Sequence, residues 1–195
     1  MKKLNGAEAL FLQLETFYEI SREVRHDLLP LLEEKNFLKN EVILSRGNIS
    51  EYVYFLISGC VRFNYLNDKN EDITTFFVLE DEFFANSSSF LTGEPSLINI
   101  TAIEPTETLR LHKSQVQLMY SKHPDFEKVA RGIIEKTLVG TVLRSPPIIL
   151  SAEERYLRLL EKNPEFVKRI PVKYLATYLG IHPNSLSRIR RDMKL

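Results

Sequence analysis

Asn184, Ser187, Arg188 and Arg191 recur at the spacing that puts side chains on one side of a helix. An arginine can bond O6 and N7 of guanine with two parallel N–H groups, asparagine can do the same with adenine, and a serine hydroxyl serves base or phosphate. The chemistry on offer is reading, not bond making. Ser185 adjoins this face, and His182 opens it. His182 is an indifferent helix cap beside Ser or Thr, so contact with DNA and plain solvent exposure are both open to it. Lys173 falls in the first turn of the helix before, where phosphate contacts are usual in such docking. Nothing comparable points to catalysis: His26, His112, His123 and His182 are dispersed and no H-x-H occurs, which leaves a metal-binding jelly-roll enzyme without its ligands. No catalytic residue, metal ligand or cofactor is assigned.

The elements that hold that face read as a helix-turn-helix. Pro171 suits the first helical position, where its missing N–H costs nothing. Leu175 and Leu179 form an i, i+4 pair, Ala176 permits a close helix crossing, and Gly180 sits where a left-handed residue ends a helix. Ile181 plugs the corner. Pro183 starts the second helix, in which Leu186, Ile189 and Met193 face inward.

Charge supports the assignment once it is divided. The chain has 26 basic and 26 acidic residues, of which ten and five lie from Ser151 onward, so this tail carries +5 and the remainder −5. A duplex would attract the tail and mildly repel the rest. The lone Cys60 excludes an internal disulfide and any four-cysteine metal or cluster site, and it reads as strand filler. No run approaches the ~18 apolar residues of a membrane span, and the expected location is the cytoplasm.

Upstream, Leu10, Leu14 and Phe17 stripe a helix over 7–20, and Ser21 caps a second helix running toward Glu34, with Pro30 set to end or kink it. From Val42 to Leu111 short strands alternate with turn signals, the texture of a jelly-roll. A short helix over 114–120 precedes a long one, Asp125 to Leu143. One ridge of that helix carries Phe126, Ala130, Ile133, Thr137 and Gly140, and a second carries Ile134, Leu138 and Val142. Two apolar ridges need two partners: the β-domain for one and, unless both are covered within the monomer, a second copy for the other. The first ridge is assigned to the dimer. Ser145-Pro146-Pro147 is the natural hinge, Ser151 with Glu154 forms a capping box for the next helix, and Asn163-Pro164 ends it.

This order resembles the Crp/Fnr family of bacterial transcription regulators over nearly the whole chain. The stretches that carry the resemblance are N-E-V-I-L-S-R-G with Y-V-Y-F-L-I-S-G-C-V-R, and the terminal A-T-Y-L-G-I-H-P-N-S-L-S-R-I-R. It implies a homodimer held by the long helix, each recognition helix entering one half-site of a pseudo-palindrome, with half-sites about 34 Å apart. Arg188 falls at the family's base-reading arginine, whereas Pro183 and Asn184 replace its Arg and Glu. The family's phosphate cassette, G-E-L followed by R-S or R-T, aligns with Ala85 and Asn86 and with Ser96 and Leu97, so neither the ribose-binding Glu nor the phosphate-binding Arg is present. Asn86, Ser87, Ser88 and Ser96 are the polar candidates for an altered effector pocket, which Phe83, Phe84 and Phe90 could instead fill. The sequence also stops at Leu195, short of the family's two-stranded wing.

The expected fold is therefore α+β: a double-stranded β-helix domain with N-terminal helices over 1–120, a dimerisation helix and hinge over 121–147, and a helix-turn-helix over 148–195. The expected partners are double-stranded DNA, a second copy, an unidentified small-molecule effector and RNA polymerase, with no membrane. The alternative is a sensing or protein-interaction β-roll that does not bind DNA.

Overall fold

The computed structural model describes residues 5–144, 150–162 and 164–192. Helix α1 (Gly6–Glu15) begins in a reciprocal cap: Asn5 Oδ1 accepts from the Ala7 amide at 3.3 Å and the Asn5 amide donates to Glu8 at 3.2 Å. It buries Leu10, Phe11 and Leu14, and ends five residues before the expected Ile20. Ser21 caps α2 (Arg22–Leu28) as its sequence suggests, accepting from the Val24 amide at 3.2 Å. Pro30 does stop that helix, inside a single 3-10 turn (Leu29–Leu31), and the expected continuation to Glu34 is replaced by strand β1 (Glu33–Phe37). The deciding partner is remote: β1 lies antiparallel to β8 (Thr106–His112), with Glu33 opposite Arg110 and ion-paired to it at 2.8 Å.

Two four-stranded antiparallel sheets form the jelly-roll. One has the order β1-β8-β3-β6, adding β3 (Tyr52–Ser58) and β6 (Phe83–Phe84). The other has the order β2-β7-β4-β5, built from β2 (Val42–Leu44), β4 (Val61–Leu66), β5 (Asp72–Val78) and β7 (Asn99–Ala102). Leu56, Val61, Val78, Ile100 and Ala102 fill the space between them. The turn from β3 to β4 requires Gly59: its φ is +106°, and a Cβ there would stand 2.5 Å from Thr106 Oγ1 and 2.7 Å from the Pro105 carbonyl. Cys60 beside it is fully buried, and burial pushes its thiol well above the ordinary range, as a filler residue requires.

The first sheet's outer face is covered by α1, α2, α4 (Lys113–Lys122) and the start of α5 (Pro124–Arg144), through Phe55, Leu109, Met119, Phe126 and Val129. His123 Nε2 and Asp27 Oδ2, 3.0 Å apart, tie the α4–α5 corner to α2. The inferred hinge Ser145-Pro146-Pro147 lies outside the described residues, as do Asn163 and Met193. The Ser151–Glu154 capping box precedes α6 (Ala152–Lys162), with bonds of 2.8 and 3.2 Å, and α7 (Pro164–Arg169) follows. The fold is thus α+β, antiparallel sheets with helices grouped around them.

Candidate nucleic-acid interface and ligand pocket

Helix α8 (Val172–Tyr178) starts one residue later than its sequence suggests: Pro171 is the cap, and its carbonyl accepts from the Tyr174 and Leu175 amides at 3.0 and 3.1 Å. Gly180, at φ +67°, ends it in a Schellman motif, in which the Ile181 amide donates to the Ala176 carbonyl and the Gly180 amide to that of Thr177, both at 3.0 Å. The corner turns the chain into α9 (Pro183–Asp192), whose Leu186 is completely buried against Leu175, Ala176 and Leu179.

On α9 the inferred reading face is outward: Asn184, Ser187, Arg188 and Arg191 are exposed, and Ser185 is half-buried at its flank. His182 is exposed as well, yet its Nδ1 accepts from the Asn184 amide at 3.2 Å, so it caps α9. Lys173 is exposed on α8 with its ammonium 4.5 Å from the centre of the Tyr174 ring. Three other arginines of the basic tail turn inward instead. Arg155 donates to the Leu179 carbonyl at 2.6 Å, Arg190 donates to the Tyr156 hydroxyl and the Val167 carbonyl at 3.1 Å each, and Arg169 leaves its own helical unit altogether.

Arg169 reaches the β-roll. It donates to Glu104 at 2.8 Å, to Glu80 at 3.0 Å and to the Gly59 carbonyl at 2.6 Å. Beside it α8 packs on β5: the Thr74 amide donates to Thr177 Oγ1 at 3.2 Å, and Tyr178 meets Phe77 edge-on at 5.3 Å. The buried Arg62, ion-paired with Asp72, lies over the Tyr174 ring at 3.8 Å. Sequence reading missed this seat. Glu80 and Glu104 lie in the connections after β5 and β7, and nothing in the sequence around Arg169 marks it as their partner.

Burial pushes the Glu80 carboxyl upward, but bonds from Arg169, its own amide and Gly59 more than offset it and hold the group below the usual carboxylate range. A depressed carboxyl adds stability that is present above its unfolded value and lost as pH falls through the folded one. Arg169→Ala is therefore expected to lower stability near neutrality by no more than about 1 kcal/mol, because solvent reaches this network. The gap between variant and wild-type melting midpoints should close as pH drops below the ordinary value of 4.5, and a gap independent of pH would exclude the network as its source.

The inferred effector residues separate. Asn86, Ser87 and Ser88 lie on the wall of a cavity in the β-roll, together with Phe83, Phe84 and Phe90, which line it instead of filling it. Ser96 does not join them. It is buried, accepting from Asn86 Nδ2 at 2.7 Å and donating to the Ile98 carbonyl at 2.7 Å, while Leu97 points outward, 76% exposed. Asn86 also caps α3 (Ser87–Thr92), accepting from the Ser89 amide at 3.2 Å and from Ser88 Oγ at 2.8 Å. Where the resemblance puts a phosphate-binding arginine, the chain has a satisfied serine and an outward leucine.

On α5 the first part of the ridge assigned to the dimer packs on its own protomer instead. Phe126 is buried in its own protomer, and Ala130 and Ile133 are half-buried beside it because the roll's apolar face is already there to receive them. Thr137 is exposed at the edge of this ridge, and Gly140 belongs to the same helix. Among the described residues of α5, the large apolar side chains left to solvent are Ile134, Leu138 and Val139. Among the described residues no group of His, Cys, Asp and Glu converges as a metal site, and no helix is long and apolar enough to cross a membrane.

Residues 34–123 match the cyclic nucleotide-binding domain family. The Global nitrogen regulator of Synechocystis sp. is 30% identical over 108 residues, 54% of this chain and 47% of that protein, so the chain spans about half the length of the curated relative it matches. The c-di-GMP-responsive global regulator CLP of Xanthomonas campestris superposes with a TM-score of 0.71 at 16% identity, covering 89% of this chain and 92% of that one. A chain from Eubacterium rectale assigned to the Crp/Fnr family of transcriptional regulators gives a TM-score of 0.68 at 14% identity, covering 90% and 84%.

Proposed function

From a β-roll that is a cyclic nucleotide-binding domain, in a chain with the fold of the Crp/Fnr transcription regulators, we propose a DNA-binding regulator that pairs through α5 and reads a pseudo-palindromic operator. One observation carries the reading. A helix-turn-helix closed by a complete Schellman corner presents Asn184, Ser187, Arg188 and Arg191 on one exposed face, while the neighbouring arginines are used internally. Such a protein works in the cytoplasm, where the chromosome is.

The test is a gel shift on random duplex across a salt series. Contacts from Lys and Arg to phosphate release counterions, so affinity must fall linearly in log salt. A chain that fails to shift duplex at low salt would instead be a sensing or interaction module.

The same structure sets an expectation for cyclic nucleotides. A cyclic phosphate entering beside α3 would give up its hydration for Asn86, whose amide is already engaged, with no guanidinium at the aligned position. Losing two charged partners forfeits ~1.5–3 kcal/mol each, which moves a micromolar ligand toward millimolar. Isothermal titration with cyclic AMP and cyclic GMP should show no binding at or below ~10 μM, and a tighter constant would mean that other residues have taken over the anchor.

A further inference from the structure

The cavity beside α3 has a volume of about 690 Å³, the size of a site for a whole small molecule. Its wall is largely apolar, and its aromatic rings brace one another. Tyr54 stacks on Phe84 at 4.9 Å, Phe83 leans on Phe55 at 5.0 Å, and Phe63 meets Phe76 edge-on at 6.0 Å. Rings fixed in this way keep a cavity open, because none can swing in without breaking a contact behind it. Water inside would find few partners, and the wall atoms would lack neighbours.

The cavity is also poor in usable charge. Among the described residues that line it, Arg110 is the sole ionic side chain. Its Nε and Nη2 donate to Glu33 at 3.0 and 2.8 Å, and its guanidinium lies over Tyr52 at 4.1 Å. The Asn86 amide is occupied by Ser88, Ser89 and Ser96. An anion placed here would be desolvated with little compensation, whereas a neutral ring system would gain apolar contact along the wall.

We infer that this cavity is a binding site for an uncharged, predominantly apolar, ring-bearing small molecule. The inference deepens the pocket part of the proposed function, on which it rests, and is independent of DNA binding. Ala130 and Ile133 of α5 form part of the wall, with Ile134 and Leu138 at its margin. A guest would therefore touch the helix assigned to pairing.

The test uses the full chain and no DNA. N-phenyl-1-naphthylamine, a neutral three-ring fluorophore that brightens in apolar surroundings, should bind saturably at one site per chain. Ala85→Trp, which fills the cavity from a half-buried wall position outside α5, should weaken binding at least about ten-fold with the circular dichroism and melting midpoint unchanged. Ile98→Trp, filling it from the loop before β7, serves if that variant does not fold, and the same loss is expected. Unlabelled naphthalene should displace the fluorophore; 1-naphthyl phosphate, the same rings with a charged group, should not. Unsaturable binding, or binding that survives in a folded cavity-filled variant, would overturn the assignment by placing the probe elsewhere. Displacement by the phosphate as readily as by naphthalene would overturn it by revealing an anion site.

Discussion

In the α5-paired dimer proposed above, Ile134→Asp is expected to leave monomers, weakening self-association at least about 100-fold, or ~2.7 kcal/mol. Ile134 is 53% exposed, and Leu138, one turn on, is 64% exposed. A two-fold pairing would place each such residue near its own copy, so one substitution puts two carboxylates into an apolar seam. Operator affinity should fall with it, because each monomer retains only one half-site's contacts. Ile133→Asp is expected to act differently: that side chain packs against the protomer's own core, so charge there should lower the melting midpoint. Sedimentation velocity on both variants separates the outcomes. An Ile134→Asp protein that still sediments as a dimer would remove this face as the interface.

Arg188→Ala should cost ~1–3 kcal/mol of discrimination at one base pair in each half-site and leave the other positions as they were. Lys173→Ala should instead weaken binding to all sequences about equally and reduce the salt slope by about 1. The contrast follows from position. Arg188 projects from the exposed face of the second helix of the motif, whereas Lys173 lies in the first turn of the preceding helix, where docked motifs meet the backbone. Selection from a random library measures both at once, and an unchanged preference in the Arg188→Ala protein would falsify the role given to that residue. His182→Ala adds a control. Since His182 caps α9, its loss should lower stability slightly even without DNA, by less than the ~1 kcal/mol typical of a Ser, Thr, Asn or Asp cap.

Periodicity and turn chemistry made the helix-turn-helix legible, because Leu175, Leu179 and Leu186 at helical spacing and Gly180 at the corner are requirements of the local geometry. The strands were legible for the same reason, with Gly59 and the Asn67–Asn70 turn dividing them. Strand β1 was not. Glu33-Glu34-Lys35-Asn36-Phe37 has no apolar alternation, and its conformation is set by β8, which is remote in sequence. Both ridges of α5 are apolar, so the choice of which one faces the roll depends on the shape of the roll. Ser96 looked like a pocket residue through its polarity, but its hydroxyl is consumed by Asn86 and the Ile98 carbonyl. The inward arginines are indistinguishable from Arg188 until their acceptors are located.

The seat of α8 on β5, fastened by Arg169 and by the Arg62–Tyr174 stack, bears on operator geometry. A head hanging on a slack tether would accept half-sites over a range of separations and rotations. A head bolted to a rigid sheet cannot. One base pair inserted at the operator's centre moves the second half-site by ~3.4 Å and turns it by ~34° about the duplex axis. A protein paired on its operator as proposed would then have to twist the DNA or give up its Arg169 contacts, and the energy of doing either would become a penalty on wrong spacing. Specificity would thus be written partly in the gap between the two words being read, at base pairs that no side chain touches.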